Sequence, residues 1–220
     1  MMGRIVAALR MPSQHVLAEL LRLELTRNDL ETLTGLNWLN DNVINFYLTL
    51  IAERSKERPS LPKVYAFNTF FVTTLEQKGY AGVRRWTKKI DLFAFDIALI
   101  PVHLGMHWCM AVVDMRDKTI KYYDSMGKRN ERCLRDLRDY LAAEMNDKKR
   151  EQLDVGQWKL INVAGLPQQN NGSDCGMFAC KYAEYASRDA RLNFTQADMP
   201  YFRKRMMLEL LDRKLMQAVV

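Results

Sequence analysis

Residues 96–127 constrain the fold more than any other stretch of this chain. Their sequence is DIALIPVHLGMHWCMAVVDMRDKTIKYYDSMG, in which apolar and β-branched residues are frequent. Two turn signals, at Gly105-Met106 and Arg116-Asp117, divide the segment into three short strands. The sequence therefore predicts a sheet built from consecutive strands in the middle of the chain.

Helical patterns stand on both sides of these strands. Apolar residues at helical spacing indicate helices, and an alternating pattern indicates strands. The predicted helices cover 40–55, 65–80, 131–152, 175–188 and 198–216, and further strands cover 21–25 and 157–163. Thr26 and either Asn40 or Asp41 are predicted helix caps, and Gly79 is a predicted helix end. This order of helices and strands is typical of the α+β class.

The second turn determines which side chains share a face of the sheet. If it is centred on Arg116-Asp117, paired residues have numbers that sum to 233, and Asp124 lies opposite Cys109. His107 shares the face of Cys109, so His107 and Asp124 become diagonal neighbours, about 7–8 Å apart between backbones. A slip of one residue would put them on opposite faces. The predicted histidine–aspartate pair thus depends on this register.

A polar loop meets an apolar helix in PQQNNGSDCGMFAC, residues 167–180. Ser173 or Asp174 is the predicted N-cap, so Cys175 falls in the first helical turn. Unpaired N–H groups and the positive end of the helix dipole favour a thiolate there. Gly176 has no side chain and leaves the sulfur approachable. This context predicts that Cys175 is a nucleophile.

A nucleophilic thiol needs a base, and the base needs an orienting partner. The chain has three histidines, His15, His103 and His107. His107 is the candidate base, because the register gives it Asp124 as a partner and gives His103 no carboxylate. His103 and His107 are four residues apart, but on a strand–turn–strand segment without the HExxH glutamate. No metal site is therefore predicted.

Acyl transfer by a thiolate also needs hydrogen-bond donors for the oxyanion. The backbone N–H of Cys175 is one candidate donor. The side-chain amide of Gln169, in the loop before the cysteine, is another. Gln168 is an equal candidate on chemistry alone, so the residues leave this choice open.

The chain is basic, but its charge does not indicate nucleic-acid binding. It has 220 residues, a formal charge of +7, 48% hydrophobic residues and 27% charged residues, as is usual for a globular protein. The basic residues form short clusters at 84–89, 148–150 and 202–205, which we interpret as solvated faces. No nucleic-acid-binding motif accompanies them.

The four cysteines, Cys109, Cys133, Cys175 and Cys180, form no CxxC pair. Neither a disulfide framework nor a structural zinc site is predicted, and Cys109 and Cys180 are expected to be small core residues. No apolar run approaches the roughly 18 residues that would insert into a membrane, and no signal peptide is evident. An intracellular, reducing compartment is therefore expected.

Seven motifs occur along the chain. They are LNWLND, AFNTFF, RRWTKK, PVHLGMHW, YYDSMG, PQQNNGSDCGMFACKYA and NFTQADMPYFRKRM. With His107, Asp124, Gln169 and Cys175 in that order, the chain resembles the SUMO-specific cysteine proteases of the ubiquitin-like-protein protease family over about residues 20–216. The resemblance implies a papain-like cysteine protease of the α+β class, with a central mixed or antiparallel sheet flanked by helices.

The resemblance also implies a role for each motif residue. Cys175 would be the nucleophile, His107 the general base and acid, and Asp124 the group that orients His107. Gln169, rather than Gln168, would be the oxyanion donor. Neither a cofactor nor a metal is implied.

Substrate contacts are implied in the same way. Two tryptophans of the family enclose the C-terminal Gly-Gly of SUMO in a narrow tunnel, and they match Trp38 and Trp108, which would otherwise be interpreted as core residues. A flat pair of indoles admits a glycine strand and rejects bulky side chains. Asp41, Phe70 and Arg85 match positions that contact the globular body of SUMO. His103 is expected near the tunnel mouth.

The implied organisation is an N-terminal extension at 1–20 and a catalytic domain at 21–220, without the long N-terminal region that such proteases carry. The implied partners are SUMO and SUMO-conjugated proteins, and the protein is expected to be a monomer in the nucleus or at the nuclear envelope. Alternatives are a protease for another ubiquitin-like modifier, an acyltransferase, and a SUMO-binding module without turnover. The presence of a nucleophile, a base, an orienting carboxylate and an oxyanion donor argues against the last.

Overall fold

The computed structural model describes residues 2–216, so Met1 of the predicted extension and residues 217–220 of the predicted domain lie outside it. The helices are α1 (Met2–Leu9), α2 (Arg27–Glu31), α3 (Asp41–Glu57), α4 (Phe71–Val83), α5 (Glu131–Lys149), α6 (Cys175–Ala186) and α7 (Met199–Asp212). The strands are β1 (Val16–Leu20), β2 (Leu23–Thr26), β3 (Val64–Ala66), β4 (Ile97–His103), β5 (Trp108–Asp114), β6 (Thr119–Tyr123) and β7 (Lys159–Asn162). Within residues 2–216, none of the helices combines the length and the apolar character needed to cross a bilayer.

The central sheet has the strand order β3-β4-β5-β6-β7. Its three middle strands are antiparallel, whereas the outer strands β3 and β7 run parallel to their neighbours, so the sheet is mixed. Met110 pairs with Tyr123, and Asp114 with Thr119, so the numbers of paired residues sum to 233. The register predicted from the turn is therefore confirmed.

Helices cover both faces of this sheet, which completes an α+β fold with two cores. Trp108 and Met110 of β5 point into the core shared with α3, α6 and α7. Cys109 and Ala111 point to the opposite face, into the core shared with α4 and α5. This alternation follows from the two-residue period of a strand.

Two helices begin at N-cap residues that the sequence predicts. The Thr26 hydroxyl accepts a hydrogen bond from the backbone N–H of Asp29, and the Asp29 carboxylate accepts one from the Thr26 N–H, so a capping box begins α2. Asn40, the first of the two candidates, caps α3 through the N–H of Val43. Both caps satisfy N–H groups that have no partner within their helix.

The predicted helix at 65–80 begins too early. Residues 64–66 form a short strand parallel to β4, and the side chain of Asn68 accepts a hydrogen bond from the Phe70 N–H in the turn that follows. Regular helix is interrupted at Gly79, the predicted end, where φ is 60°, and helical residues then resume as far as Val83. Three residues at a sheet edge are too few to show an alternating pattern.

The N-terminal segment packs against the rest of the chain. Ile5 of α1 and Ala18 of β1 lie in the same core as α3 and α6. Arg4 forms an ion pair with Asp212 of α7. A domain boundary at residue 20 stays a prediction.

Candidate active site

Two loops at one end of the sheet bring His107 and Asp124 together. His107 directly precedes β5, and Asp124 directly follows β6. His107 Nε2 lies 2.7 Å from Asp124 Oδ1, which also accepts a hydrogen bond of 2.7 Å from the Met126 N–H. The Asp124 side chain is 1% exposed and the His107 side chain 12% exposed. Burial of this kind strengthens a charge-assisted hydrogen bond.

The charge states follow from these contacts. The pKa of His107 is raised to about 12, first by the hydrogen bond with Asp124 and then by the thiols of Cys109 and Cys175, against the lowering effect of burial. Burial alone would raise the pKa of Asp124, but hydrogen bonds from His107 and from the Met126 N–H lower it overall. An imidazolium beside a carboxylate is therefore favoured.

The unpaired ring nitrogen of His107 is the one available to a thiol. Nε2 is occupied by Asp124, whereas Nδ1 is buried and has no hydrogen-bond partner within residues 2–216. The Cys175 thiol contributes to the raised pKa of His107, as expected for a neighbour on this side of the ring. Imidazole paired at one nitrogen and open at the other is suited to proton transfer.

Cys175 is the first residue of α6 and is 2% exposed. Of the two predicted caps, Asp174 occupies the N-cap position, but its carboxylate makes no capping bond because other partners engage it. Gly176 follows, where an added Cβ would lie 3.0 Å from Leu39 Cβ and 3.4 Å from Trp108 Cδ1. Only glycine lets the start of α6 come this close to both segments.

The two loop glutamines have different surroundings. Gln169 accepts a hydrogen bond of 2.6 Å from the Ser125 hydroxyl, and its backbone N–H donates to the Ser125 carbonyl at 3.1 Å. Its Nε2 donates to the Asn171 carbonyl at 2.6 Å, which uses one of its two hydrogens. Gln168 instead points its amide nitrogen towards Gly127. The loop therefore attaches Gln169 to the residue after Asp124.

The predicted indole pair stands on two segments that touch. Trp108 is 4% exposed, and its Nε1–H donates to the Leu39 carbonyl at 3.1 Å, so it holds the segment that carries Trp38. Trp38 itself is 38% exposed. The His103 ring stacks on Trp108 with 4.2 Å between centroids. The stacked His103 and Trp108 rings lie at the end of the sheet that carries His107, and Trp108 contacts the segment next to Trp38.

The remaining predicted contact residues lie outside this group. Asp41 begins α3, and Phe70 stands just before α4 with 59% of its surface exposed. Hydrogen bonds between Asn45 and Thr69, of 3.1 and 2.9 Å, hold the start of α4 against α3. Arg85 is exposed beyond the other end of α4.

Cys109 was expected to be an ordinary core residue, but it neighbours the histidine–aspartate pair. It is 1% exposed, and its sulfur and the ligating atoms of His107 and Asp124 lie within 4.8 Å of one another. A soft divalent metal is the kind that such a donor set would take. Because His107 and Asp124 share a hydrogen bond, a metal there would have to displace the proton between them.

Sequence analysis missed Arg203. The cluster at 202–205 was interpreted as a solvated face, yet Arg203 is 4% exposed and donates to Asp174 Oδ1 at 2.8 Å from Nε and 2.6 Å from Nη2. The available signal was its helical spacing between Met199 and Met206, both of which are buried. An arginine on the buried face of a helix requires an acidic partner.

A cysteine at the start of a central helix, beside a histidine–aspartate pair at the end of a sheet, defines a papain-like cysteine protease. The fold of the chain is that of this class. The chain belongs to the Ulp1 protease family, whose C-terminal catalytic domain matches residues 37–215.

Curated relatives agree with this assignment. A protein named Sentrin-specific protease from Caenorhabditis elegans is 52% identical over 197 residues, which are 90% of this chain and 28% of the relative. Sentrin-specific protease 2 from Homo sapiens is 44% identical over 207 residues, which are 93% of this chain and 35% of the relative. The chain thus spans about a third of the length of these relatives.

Solved structures resemble the chain over nearly its whole length. The yeast Ulp1 protease domain, in complex with the SUMO ortholog Smt3, gives a TM-score of 0.84 at 33% identity, over 96% of this chain and 93% of that one. The Ulp1-like SUMO protease catalytic domain of Chaetomium thermophilum gives 0.84 at 29% identity, over 98% and 90%. A further structure, at 34% identity and a TM-score of 0.82, is described as the SUMO protease Ulp1 with its catalytic cysteine oxidised to a sulfenic acid.

Proposed function

We propose that this chain is a thiol isopeptidase that cleaves after the C-terminal Gly-Gly of SUMO, both in precursors and in conjugates to target lysines. The observation that carries the proposal is the 2.7 Å contact between His107 and Asp124 beside Cys175. Membership of the Ulp1 family and the names of the relatives support the choice of SUMO.

In the first half of the reaction, the Cys175 thiolate attacks the carbonyl carbon of the last glycine, and a carbon–sulfur bond forms. Charge moves onto the carbonyl oxygen, where the free hydrogen of the Gln169 amide and the Cys175 N–H stabilise it. Collapse of this intermediate breaks the carbon–nitrogen bond, and His107 gives its proton to the departing lysine amine. SUMO is left as a thioester on Cys175.

In the second half, water takes the place of the amine. His107, now neutral, removes a proton from the water as it attacks the thioester carbon. The carbon–sulfur bond breaks, the new C-terminal carboxylic acid of SUMO releases its proton to the solvent, and the thiolate and imidazolium are restored. Asp124 keeps the ring oriented through Nε2 in both halves, so the same Nδ1 delivers and accepts the proton.

Substrate recognition is divided between the tail and the body of SUMO in this proposal. Trp38 and Trp108 enclose the glycine strand, with His103 stacked at the mouth. Asp41, Phe70 and Arg85 contact the globular body. Phe70 and Arg85 are exposed and Asp41 is partly exposed, which supports this division.

SUMO conjugates are the proposed partners of a monomeric enzyme, and the proposed location is the nucleus or nuclear envelope. The second candidate function keeps the enzyme and changes the modifier, because other ubiquitin-like proteins also end in Gly-Gly. A binding module without turnover is less consistent with a paired His107 next to a cysteine.

The decisive experiment is a panel of ubiquitin-like modifiers that carry a thiol-reactive group at the C-terminus. We expect the SUMO probe to form an adduct with Cys175, detected by mass spectrometry, and the ubiquitin probe to form none. Cleavage of a SUMO–lysine conjugate should be lost in Cys175→Ser. If only the probe of another modifier formed an adduct, that modifier and not SUMO would be the substrate. If the SUMO probe bound without forming an adduct, the chain would be a SUMO-binding module without turnover.

A further inference from the structure

We propose that Arg203 is a positioning residue, whose guanidinium aligns the segment carrying Trp38 with the start of α6. The proposal deepens the proposed function and rests on it for the identity of the substrate. Arg203 lies on α7, which contributes no residue to the proposed chemistry.

The first set of contacts made by the Arg203 guanidinium is a buried ion pair. Arg203 Nε and Nη2 both donate to Asp174 Oδ1, at 2.8 and 2.6 Å, and the two side chains are 5% and 2% exposed. Asp174 is covalently adjacent to Cys175. Burial would raise the pKa of Asp174, but hydrogen bonds from Asn171, Gln196 and Arg203 lower it overall, so the carboxylate stays charged.

The second set of contacts joins the same guanidinium to the segment that carries Trp38. Arg203 Nη2 donates to the Asn37 carbonyl at 2.9 Å, and Nη1 donates to the Thr32 carbonyl at 3.2 Å. Asn37 immediately precedes Trp38. One planar group therefore holds the backbone next to Trp38 and the carboxylate next to Cys175 at a fixed separation.

The same carboxylate extends the connection to the oxyanion loop. Asp174 Oδ2 accepts from the Asn171 side chain at 2.7 Å, and the Asn171 side-chain oxygen accepts from the Asp174 N–H at 3.0 Å. The Asn171 backbone carbonyl in turn accepts the Gln169 amide at 2.6 Å. A change at Arg203 therefore reaches the proposed oxyanion donor through three successive contacts: Arg203 to Asp174, Asp174 to Asn171, and Asn171 to Gln169.

Only arginine suits this position. Its guanidinium offers five donors in one plane, and at this site they serve the Asp174 carboxylate and the carbonyls of Thr32, Asn37 and Ser173 in different directions. A lysine would preserve the charge opposite Asp174, but its single nitrogen cannot reach all four acceptors. Loss of the carbonyl contacts would free the Trp38 segment without altering His107 or Asp124.

The test compares Arg203→Met with Arg54→Met as the matched control. Arg54 forms another buried ion pair, with Glu184 at 2.7 Å, and joins α3 to the later part of α6, away from the thiol. Both variants remove an arginine from a buried carboxylate, so both should unfold at lower temperatures. Assays are therefore run well below both unfolding midpoints.

We expect Arg203→Met to lower kcat for a SUMO precursor by about 100-fold, the scale of a small misplacement of reacting groups, with KM changed less than about threefold. Arg54→Met should keep kcat within about threefold of wild type. Alkylation of Cys175 by iodoacetamide, which needs no tunnel, should stay within about threefold of wild type in both. Equal losses of kcat in the two variants, or a loss of alkylation that matches the loss of kcat, would overturn the proposal.

Two further measurements keep the test decisive. If Arg203→Met does not fold, Arg203→Lys replaces it, and wild-type kcat in that variant would show that charge alone suffices and that the proposal is wrong. Backbone amide hydrogen exchange of residues 32–39 should accelerate in the Arg203 variants and not in Arg54→Met. This measurement uses no substrate and so does not depend on the identity of the substrate. Unchanged exchange there overturns the positioning role, whereas failure of the wild type to cleave SUMO overturns the proposed function.

Discussion

Gln168 and Gln169 are adjacent and chemically identical, so a difference between them must come from their surroundings. The Ser125 hydroxyl and the Asn171 carbonyl fix both ends of the Gln169 amide, whereas Gln168 points towards Gly127. A donor that is already oriented pays no reorganisation cost when charge develops on the substrate. The proposed oxyanion role belongs to Gln169 for this reason.

We predict that Gln169→Ala lowers kcat by about 100- to 1000-fold, the usual effect of removing one oxyanion donor. Gln168→Ala is the matched control and should change kcat by less than about threefold. Steady-state cleavage of a SUMO precursor measures both. Similar losses in the two variants would remove the assignment of Gln169.

We predict that Gly176→Ala impairs cleavage much more than stability. The new Cβ would lie 3.0 Å from Leu39 Cβ and push the segment that carries Trp38. Overpacking costs about 1–3 kcal/mol, but the better helix propensity of alanine returns about 1 kcal/mol. Thermal unfolding and kcat should be compared with those of Gly3→Ala in α1, where an added Cβ meets nothing within 4 Å. A normal kcat in Gly176→Ala would mean that the site tolerates the shift.

Between elements, α3 and α6 are joined by charges around Glu184. Arg54 of α3 donates to Glu184 Oε1 at 2.7 Å, Arg188 donates at 2.9 Å, and the buried Lys181 lies 3.4 Å from Oε2. Burial alone would raise the pKa of Glu184, but Lys181, Arg54 and Arg188 lower it to about 2. Ionised Glu184 therefore stabilises the contact between the two helices.

The lowered pKa of Glu184 determines how its contribution to stability depends on pH. The stabilisation is present above the unfolded-state pKa of about 4.3 and is lost as the pH falls through the folded-state value. We predict that Glu184→Gln lowers the free energy of unfolding by about 3–5 kcal/mol at neutral pH, because it leaves buried cations unpaired. The difference from wild type should shrink between about pH 4.5 and about pH 2.

Unfolding by denaturant at several pH values measures this effect. Glu53→Gln is a suitable control, because Glu53 pairs with Lys56 on the surface and should contribute about 0–1 kcal/mol. A Glu184→Gln deficit that stays constant down to pH 2 would mean that the pKa of Glu184 is the same in the folded and the unfolded protein, which would contradict the prediction.

Over the whole molecule, four buried thiols should behave very differently. Burial raises the pKa of Cys133 and of Cys180 to about 12, and also raises that of Cys109. We predict that iodoacetamide at about pH 8 labels Cys175 alone in the native protein, because Cys175 lies beside His107, and labels all four in denaturant. Peptide mapping by mass spectrometry identifies the sites. Native labelling of Cys109 at the rate of Cys175 would contradict this.

The parts of the fold that the sequence predicts are those with local causes. The β5–β6 hairpin follows from one turn, so its register, and with it the contact between His107 and Asp124, could be predicted from the spacing alone. The edge strand β3 could not, because only its pairing with β4 defines it.

The same limit applies within the site. The helical spacing of Arg203 between Met199 and Met206 indicates a buried side chain, but it does not identify the acceptors of that side chain. Its partner Asp174 is 29 residues away along the chain, and the carbonyls of Thr32 and Asn37 lie in the segment that follows α2. Only the packing of α7 against the start of the chain brings them together.

Arg203 comes 28 residues after Cys175 in the sequence. A ribosome releases a chain from its N-terminal end, so the histidine, the aspartate and the thiol all emerge before the arginine that aligns them. If Arg203 acts as proposed, a partly synthesised chain contains His107, Asp124 and Cys175, but the segment that carries Trp38 is not yet aligned with the start of α6. SUMO conjugates would not be cleaved efficiently until almost the whole domain has been synthesised. The position of Arg203 in the sequence would therefore determine the stage of synthesis at which full activity appears.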